Sequence, residues 1–274
     1  MVILAGTPIG DTAIASPRLV QTLQGAQVIA AEDTRRLTDL LHRLQISTSA
    51  RVVSYFEGNE AARTQELLEA LLAGQDVVVV TDAGMPIISD PGLSLVSAAA
   101  ERDIPVTCFP GPSAVPTALA LSGLGVGHFL FDAFPPRKPG PRKAWLESLR
   151  NEKRAIVFFE SPHRVAETLA EAADILGAQR PAAVCRELTK TYEEVRRGSL
   201  EELAEWAAEG ARGEITVVIE GGTAAAATAA DLVPQAMKLA AAGMRLKDAC
   251  KQVAKDTEVS NRELYDAALA ARKD

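Results

Sequence analysis

The sequence has little of what disulfide-bonded, metal-binding or membrane-spanning proteins need. Its three cysteines, Cys108, Cys185 and Cys250, are widely spaced and form no C-x-x-C pair, which argues against a disulfide framework and a zinc site. The three histidines could supply few further metal ligands. The run AAAATAA at 224–230 is too short to span a bilayer, and the N-terminus MVILAGTPIGD predicts neither a signal peptide nor an anchor. We therefore expect no metal, no membrane contact and a reducing, cytoplasmic location.

Several common catalytic and nucleotide-binding motifs are also missing. The sequence contains no G-x-x-x-x-G-K-[ST] phosphate loop, no H-E-x-x-H zinc helix and no G-x-S-x-G nucleophile turn. Gly123, Gly125 and Gly127 come nearest to a dinucleotide fingerprint, but the last glycine of that motif is absent and a predicted strand follows. A net charge of −7 argues against a general nucleic-acid coat protein, so any RNA binding would need a local basic patch.

The apolar residues alternate between short strands and helices. Short β-branched segments separated by helical stretches predict strands at 1–5, 26–31, 51–56, 76–81 and 105–110. Strands that are apolar throughout, as in DVVVVT, are typical of a parallel sheet covered on both faces. Residues 1–120 are therefore predicted to form an α/β domain with a parallel sheet.

The chain changes character after about residue 120. Further strand-like segments at 154–162, 181–189, 192–200 and 213–221 predict a second α/β domain with a mixed sheet over residues 121–222. The Ala/Thr-rich stretch 223–230 is interpreted as a linker, and residues 231–274 as a small helical domain.

Polar loops follow all five predicted strands of the first domain, and four of them contain glycine. They are GTPIGD (6–11), AEDTRR (31–36), YFEGNE (55–60), TDAGMPIISDPG (81–92) and PGPSAVPTALALSGL (110–124). Ligands of open parallel sheets bind at the carboxyl ends of the strands, where these loops lie. The loop at 81–92 is longer than a plain strand–helix connection, and we expect Ser89 and Asp90 to hold it and cap the following helix.

In their order along the chain, these loops resemble motifs of the tetrapyrrole-methylase superfamily. The resemblance continues through the later segments FPPRK, FFESPHR, CRELTKTYEE and GEITVVIEG. The resemblance is collinear over roughly residues 1–222. It is nearest to the branch that methylates the 2′-hydroxyl of a cytidine in 16S rRNA, and SNRELYDAAL (260–269) is similar to the C-terminal helical segment of that branch.

The resemblance implies a homodimer of two-domain α/β chains with S-adenosylmethionine folded in the cleft between the domains. Its substrate would be 16S rRNA or the small ribosomal subunit. The residues implied for the cofactor pocket belong to the strand-end loops of both domains: Pro8, Ile9, Asp82, Gly84, Met85, Pro86, Ile88, Ser113, Ala114, Phe159, Leu188, Glu214, Ile215 and Thr216.

Methyl transfer to a ribose hydroxyl favours a general base or a nearby cation, because that hydroxyl is a weak nucleophile. We expect Glu187 or Glu32 to serve as the base, with Arg35 and Lys190 contacting phosphate or the developing alkoxide. Each has a simpler interpretation. Glu32 could cap the helix after the second strand, and Glu187 and Lys190 could be solvated charges on a strand-like segment.

The basic segment PPRKPGPRK (135–143) gives the stronger signal for RNA contact. It places Arg137, Lys138, Arg142 and Lys143 in one predicted proline-stiffened loop, for a salt slope of roughly −3 to −4. Lys247, Lys251 and Lys255 recur every fourth residue, so they form either a second RNA-facing stripe or a solvated helix face.

Two other functions remain open at this stage. One is a methylase of a tetrapyrrole, or of a modified protein residue of the diphthine type, within the same superfamily. The other is a non-catalytic RNA-binding protein with a decayed methylase site. The glycine- and proline-rich loops at 6–11 and 81–92 argue against the second.

Overall fold

The computed structural model describes residues 1–222, 229–255 and 259–271. It divides into two compact units: Met1–Glu147 with Arg154–Glu220, and Ser148–Lys153 with Gly221–Asp274. The first unit contains two five-stranded sheets, which confirms the predicted α/β fold with one parallel and one mixed sheet. The placement of a domain boundary near residue 120 stays a prediction, because both sheets belong to this unit.

The first sheet is parallel throughout. Its strands are β1 (Val2–Ala5), β2 (Val28–Ala31), β3 (Arg51–Ser54), β4 (Val77–Val80) and β5 (Val106–Phe109), in the order β3-β2-β4-β1-β5. Its helices are α1 (Pro17–Gly25), α2 (Thr34–Arg43), α3 (Glu60–Leu72) and α4 (Leu93–Ala100). The next helix, α5 (Ala114–Ser122), follows β5 in the chain but packs against the second sheet. The central strands β2 and β4 are buried along their whole length, as expected for a sheet covered on both faces.

Local sequence signals explain where these helices begin. Ser16 accepts a hydrogen bond from the Leu19 amide, and Pro17 then opens α1 with its φ already restricted. Asp33 accepts from the Arg35 amide at the start of α2. These caps fix where α1 and α2 begin. They therefore also fix where the loops that follow β1 and β2 end.

The second sheet is mixed. Its strands are β6 (Phe129–Phe131), β7 (Ala155–Glu160), β8 (Pro181–Arg186), β9 (Glu194–Ser199) and β10 (Ile215–Ile219), in the order β6-β7-β10-β8-β9. Only β6 and β7 pair in parallel. Its helices are α6 (Pro139–Ser148), α7 (Val165–Leu176) and α8 (Leu200–Ala208), and α8 begins with a capping box between Ser199 and Glu202.

The second unit contains α9 (Ala229–Ala241), α10 (Leu246–Ala254) and α11 (Asn261–Ala271). They pack around a core that includes Leu232, Cys250 and Leu264. Lys247, Lys251 and Lys255 are exposed, and their contact with RNA stays a prediction. Of the predicted linker 223–230, residues 223–228 lie outside the described part of the chain, whereas 229 and 230 belong to α9. Within the described residues, no helix is long and apolar enough to cross a membrane.

Candidate functional site

Three loops of the parallel sheet are joined where β1, β4 and β5 end. Thr7 and Gly84 form an isolated antiparallel bridge: the Thr7 amide donates to the Gly84 carbonyl at 2.8 Å, and the Gly84 amide returns a bond at 3.1 Å. The Gly111 amide donates to the Met85 sulfur at 3.2 Å. A Cβ on Gly6 would lie 2.5 Å from the Gly111 nitrogen, so only glycine permits this approach of the two backbones.

The loop at 81–92 is held in an uncommon backbone conformation. Ile87 and Ser89 both have positive φ, at 77° and 68°, which costs a β-branched residue such as isoleucine the most. Backbone strain of this kind persists where the surrounding contacts determine the conformation, and it concentrates at functional sites.

Glu60 supplies the contact that ends this loop. Its Oε1 accepts hydrogen bonds from the amides of Gly92 and Ser94, each at 3.1 Å, at the start of α4. Burial raises the pKa of Glu60, but these bonds and the Tyr55 hydroxyl outweigh it and lower that pKa overall. The expectation that Ser89 and Asp90 cap α4 is therefore wrong, since a carboxylate from α3 does so and Asp90 instead borders a cavity.

That cavity is a cleft of about 370 Å³ between the loop ends of the two sheets. One wall comes from the loops after β1, β2 and β4 and from the start of α5. The facing wall comes from the second sheet, where the Phe134 and Phe159 rings lie 5.5 Å apart. Met85, Ile88 and Leu188 make much of the remaining surface apolar. We call this cavity the cleft.

The structure brings almost all of the predicted cofactor residues into the cleft. Two do not border it: Pro8 lines a neighbouring cavity, and Pro86 is buried inside the loop. The cleft is lined by the others, namely Ile9, Asp82, Gly84, Met85, Ile88, Ser113, Ala114, Phe159, Leu188, Glu214, Ile215 and Thr216.

Three carboxylates border the cleft on the side of the parallel sheet. Glu32 Oε2 accepts from the Thr81 hydroxyl at 2.6 Å and from the Asp82 amide at 3.2 Å. Burial, followed by the charge of Glu32, raises the pKa of Asp82. The same causes, with the added charge of Asp82, raise the pKa of Asp90 to about 7. Asp90 can therefore exchange a proton near neutral pH.

Glu187, Lys190 and Glu214 form a network of ion pairs on the side of the second sheet. The Lys190 ammonium lies 2.9 Å from Glu187 and 3.1 Å from Glu214. The Glu214 amide also donates to Glu187 at 2.9 Å, and this bond is the main reason that the pKa of Glu187 is lowered. A carboxylate already occupied by two donors is a weak proton acceptor, so the geometry favours a structural role for Glu187.

The four predicted catalytic residues therefore do not share one location. Glu32 borders the cleft, and Lys190 borders the neighbouring cavity. Glu187 lines neither of them. Arg35 lies with its side chain 89% exposed and paired to Asp33, and it too lines neither cavity.

The neighbouring cavity, which we call the polar chamber, has a volume of about 830 Å³. Residues of the loop after β1, one face of α2 and the turn at 189–191 surround it. It shares Ile9, Arg36, Asp82, Ala83 and Glu214 with the cleft, so the two spaces adjoin.

The predicted RNA-binding segment differs from the expected loop. Residues from Pro139 onward form α6, and Arg142 on this helix is fully buried against α7, 2.7 Å from Glu167 and 2.6 Å from Glu171. The prediction that Arg142 contacts RNA is therefore wrong in this structure, because its charge is already neutralised inside the protein. Arg137, Lys138 and Lys143 are exposed, and RNA binding by them stays a prediction.

Several lining residues were missed in the sequence although they lie inside the quoted motifs. Arg36 is the second arginine of AEDTRR, Asp90 belongs to the long loop, and Phe134 and Ser161 lie in FPPRK and FFESPHR. Their motifs carried the signal, but which side chains turn inward depends on tertiary packing. No group of three or more His, Cys, Asp or Glu residues within 1–222, 229–255 and 259–271 is placed to hold a metal ion.

Comparison with known proteins gives a consistent result. Residues 1–204 match the family model described as Tetrapyrrole (Corrin/Porphyrin) Methylases. The chain is 52% identical, over 99% of its length and 95% of the relative's, to a Mycobacterium bovis protein named Ribosomal RNA small subunit methyltransferase I.

Solved structures show the same fold at much lower identity. The methyltransferase CobJ aligns with a TM-score of 0.62 and 20% identity, covering 83% of this chain and 95% of its own. Uroporphyrin-III C-methyltransferase from Thermus thermophilus, in complex with S-adenosyl homocysteine, aligns with a TM-score of 0.56 and 19% identity, covering 79% and 96%.

Proposed function

The chain belongs to the tetrapyrrole (corrin/porphyrin) methylase family, and we propose that it methylates the 2′-hydroxyl of a cytidine in the 16S rRNA of the small ribosomal subunit, with S-adenosylmethionine as methyl donor. The observation that carries this proposal is the near full-length similarity to a relative named for the ribosomal RNA of that subunit. The proposal includes a cytoplasmic homodimer as the working form.

The residues of the cleft fit S-adenosylmethionine chemically. A volume of about 370 Å³ is within the range of small-molecule sites. Met85, Ile88 and Phe159 offer an apolar wall, while Asp82 and Asp90 place negative charge where a sulfonium cation is favoured. The bridge between Thr7 and Gly84 fixes the loop before a ligand arrives, which lowers the entropy cost of binding.

When bound, S-adenosylmethionine supplies an electrophilic methyl group on a positively charged sulfur. The protein must then align the acceptor oxygen and receive its proton. Asp90 is suited to the second task, because burial and the charges of Glu32 and Asp82 hold its pKa at about 7. The apolar wall excludes water, which would otherwise compete for the same position.

The first test is a binding and transfer assay. We expect calorimetric heat with S-adenosylmethionine, and transfer of a radiolabelled methyl group to immature small subunits or to free 16S rRNA. Because a 2′-O-methyl group removes the hydroxyl that attacks the neighbouring phosphate, the labelled product should survive alkaline hydrolysis as a dinucleotide. Label found only in a porphyrin precursor, or no label in any acceptor, would contradict the proposal.

A matched pair of variants connects the activity to the cleft. Ala114→Phe adds a ring to the lining of the cleft, whereas Ala62→Phe makes the same change on the exposed surface of α3. We expect the first to lose S-adenosylmethionine binding and methyl transfer together and the second to retain both. Light scattering on the same samples tests the homodimer, which a monomeric mass for active protein would contradict.

A further inference from the structure

We propose that the polar chamber is the subsite for the target nucleotide of the RNA, and that Arg43 binds a phosphate of that nucleotide. This inference rests on the proposed function and extends it to the methyl acceptor. It depends on the chamber's position, on its lining and on how its three cationic side chains are paired.

The chamber is lined by three segments that contact one another, and it is open to solvent on one side. Arg36, Asp39, Leu40 and Arg43 face it from α2, at spacings that place them on one side of a helix. Arg43 Nη2 donates to the Gly10 carbonyl at 3.3 Å, which joins α2 to the loop after β1. That loop in turn contacts the turn after β8, because the Asp11 amide donates to the Thr189 hydroxyl at 3.2 Å.

The position of the chamber suits the methyl acceptor. It adjoins the cleft at Arg36, Asp82 and Glu214, which border both spaces, so a group bound in the chamber lies next to the carboxylate side of the cleft. Enzymes that act on a base bind that nucleotide unstacked in a separate pocket, and we extend this arrangement to an enzyme that acts on the ribose. The chamber's volume of about 830 Å³ leaves room for such a nucleotide.

The lining suits a sugar and a single phosphate. Asp11, Asp39, Thr12 and Thr191 offer oxygens to sugar hydroxyls. The chamber also has a nearly balanced set of charged side chains: Arg36, Arg43 and Lys190 against Asp11, Asp39, Asp82 and Glu214. That balance disfavours a macrocycle carrying many carboxylates, whereas a nucleotide adds only one phosphate charge.

Arg43 is the cation best placed to bind that phosphate. Lys190 is held by two carboxylates at 2.9 and 3.1 Å, and Arg36 Nε lies 3.3 Å from Asp82. Arg43 has the longest contact with a carboxylate, 3.8 Å from Asp39, and donates one hydrogen bond to the Gly10 carbonyl at 3.3 Å. A guanidinium has five N–H donors in a planar fork that matches two phosphate oxygens, so Arg43 retains donors for a ligand.

The test measures RNA and cofactor binding separately. The variants are Arg43→Ala, Arg43→Lys and, as control, Arg63→Ala on α3, whose side chain is similarly exposed at 46%. We expect Arg43→Ala to weaken binding of transcribed 16S rRNA about tenfold and to reduce the salt slope by about one, with Arg43→Lys intermediate. Arg63→Ala should stay within about twofold of wild type, as should S-adenosylmethionine binding by all three variants.

The outcomes separate this inference from the proposed function. If wild type methylates the RNA but Arg43→Ala binds RNA as tightly as Arg63→Ala, the subsite is refuted and the function stands. The subsite is refuted equally if Arg43→Ala loses cofactor and RNA binding to the same extent. If wild type transfers no methyl group to any RNA, the proposed function fails and this inference falls with it. As a control, thermal unfolding of each variant is measured, and we expect every variant to keep the wild-type fold.

Discussion

Replacing Asp90 by asparagine should stabilise the protein at alkaline pH and at the same time slow methyl transfer. Asp90 borders the cleft, and burial together with the charges of Glu32 and Asp82 raises its pKa from 3.8 to about 7. Asparagine keeps the size of the side chain but carries no charge at any pH. The variant therefore isolates the cost of holding a carboxylate at this position.

The sign of the effect follows from proton linkage. Below about pH 4, Asp90 is protonated in both the folded and the unfolded chain, and its charge does not affect stability. Between about pH 4 and 7 the unfolded chain ionises first, so the folded wild type loses stability as the pH rises. A rise of about three pKa units corresponds to about 4 kcal/mol for a fully buried group, and partial solvent screening reduces this to about 2 kcal/mol.

The measurement is the free energy of unfolding from urea titrations near pH 4, 6 and 8. We expect Asp90→Asn to match wild type near pH 4 and to exceed it by about 2 kcal/mol near pH 8. Asp174→Asn, an exposed position on α7, serves as the control and should show no comparable change with pH. A gain for Asp90→Asn that is the same at every pH, or is absent near pH 8, would refute the linkage.

The same variant tests the catalytic role of Asp90. If Asp90 receives the hydroxyl proton, the wild-type kcat should rise with pH up to about 7 and then level off. Asp90→Asn should lower kcat by about 10²- to 10⁴-fold and abolish that rise, while binding of S-adenosylmethionine persists. A variant that keeps both the rate and the pH profile would return the role to Glu32, the predicted base that borders the cleft.

Three further predictions concern Glu60, Arg142 and Lys143. Glu60→Ala should destabilise the protein by about 1–2 kcal/mol and weaken cofactor binding, because it leaves the Gly92 and Ser94 amides uncapped. Calorimetry and urea unfolding measure this, and Glu60→Gln, which retains an acceptor oxygen, should be milder. Arg142→Ala should cost about 3–5 kcal/mol of stability by leaving carboxylates of α7 unpaired. Lys143→Ala on the same helix should leave unfolding almost unchanged and lower RNA affinity in a salt titration.

Most residues that line the cleft could be predicted from the sequence, because the family resemblance named them and because several lie in loops with clear local signals. Parallel strands place their following loops at one edge, and glycine and proline mark where the backbone must turn or approach closely. Ile9, Gly84 and Ser113 lie in such loops and border the cleft, whereas Thr216, which also borders it, lies in β10 of the mixed sheet and was implied only by the family resemblance. The order of the motifs therefore predicts which backbone segments line the pocket, even where the directions of the side chains are unknown.

The orientation of charged side chains could not be predicted in the same way. Arg35 and Arg36 are adjacent in AEDTRR, yet Arg36 borders both cavities while Arg35 points to solvent beside Asp33. Arg142 and Lys143 are likewise adjacent, but one is fully buried and the other exposed. Successive helical residues lie about 100° apart, so a small change in where the helix begins decides which charge turns inward.

The length of the loop at 81–92 follows from the number of contacts it must make. Within twelve residues it pairs with the loop after β1 through Gly84 and accepts the Gly111 amide on Met85. Its Asp90 borders the cleft, and the amide of its last residue, Gly92, donates a hydrogen bond to Glu60. A two- to six-residue connection could join β4 to α4, but it could not reach all four positions. The loop is thus long because it must reach all four of these positions, and the positive φ of Ile87 lies between the second and the third of them.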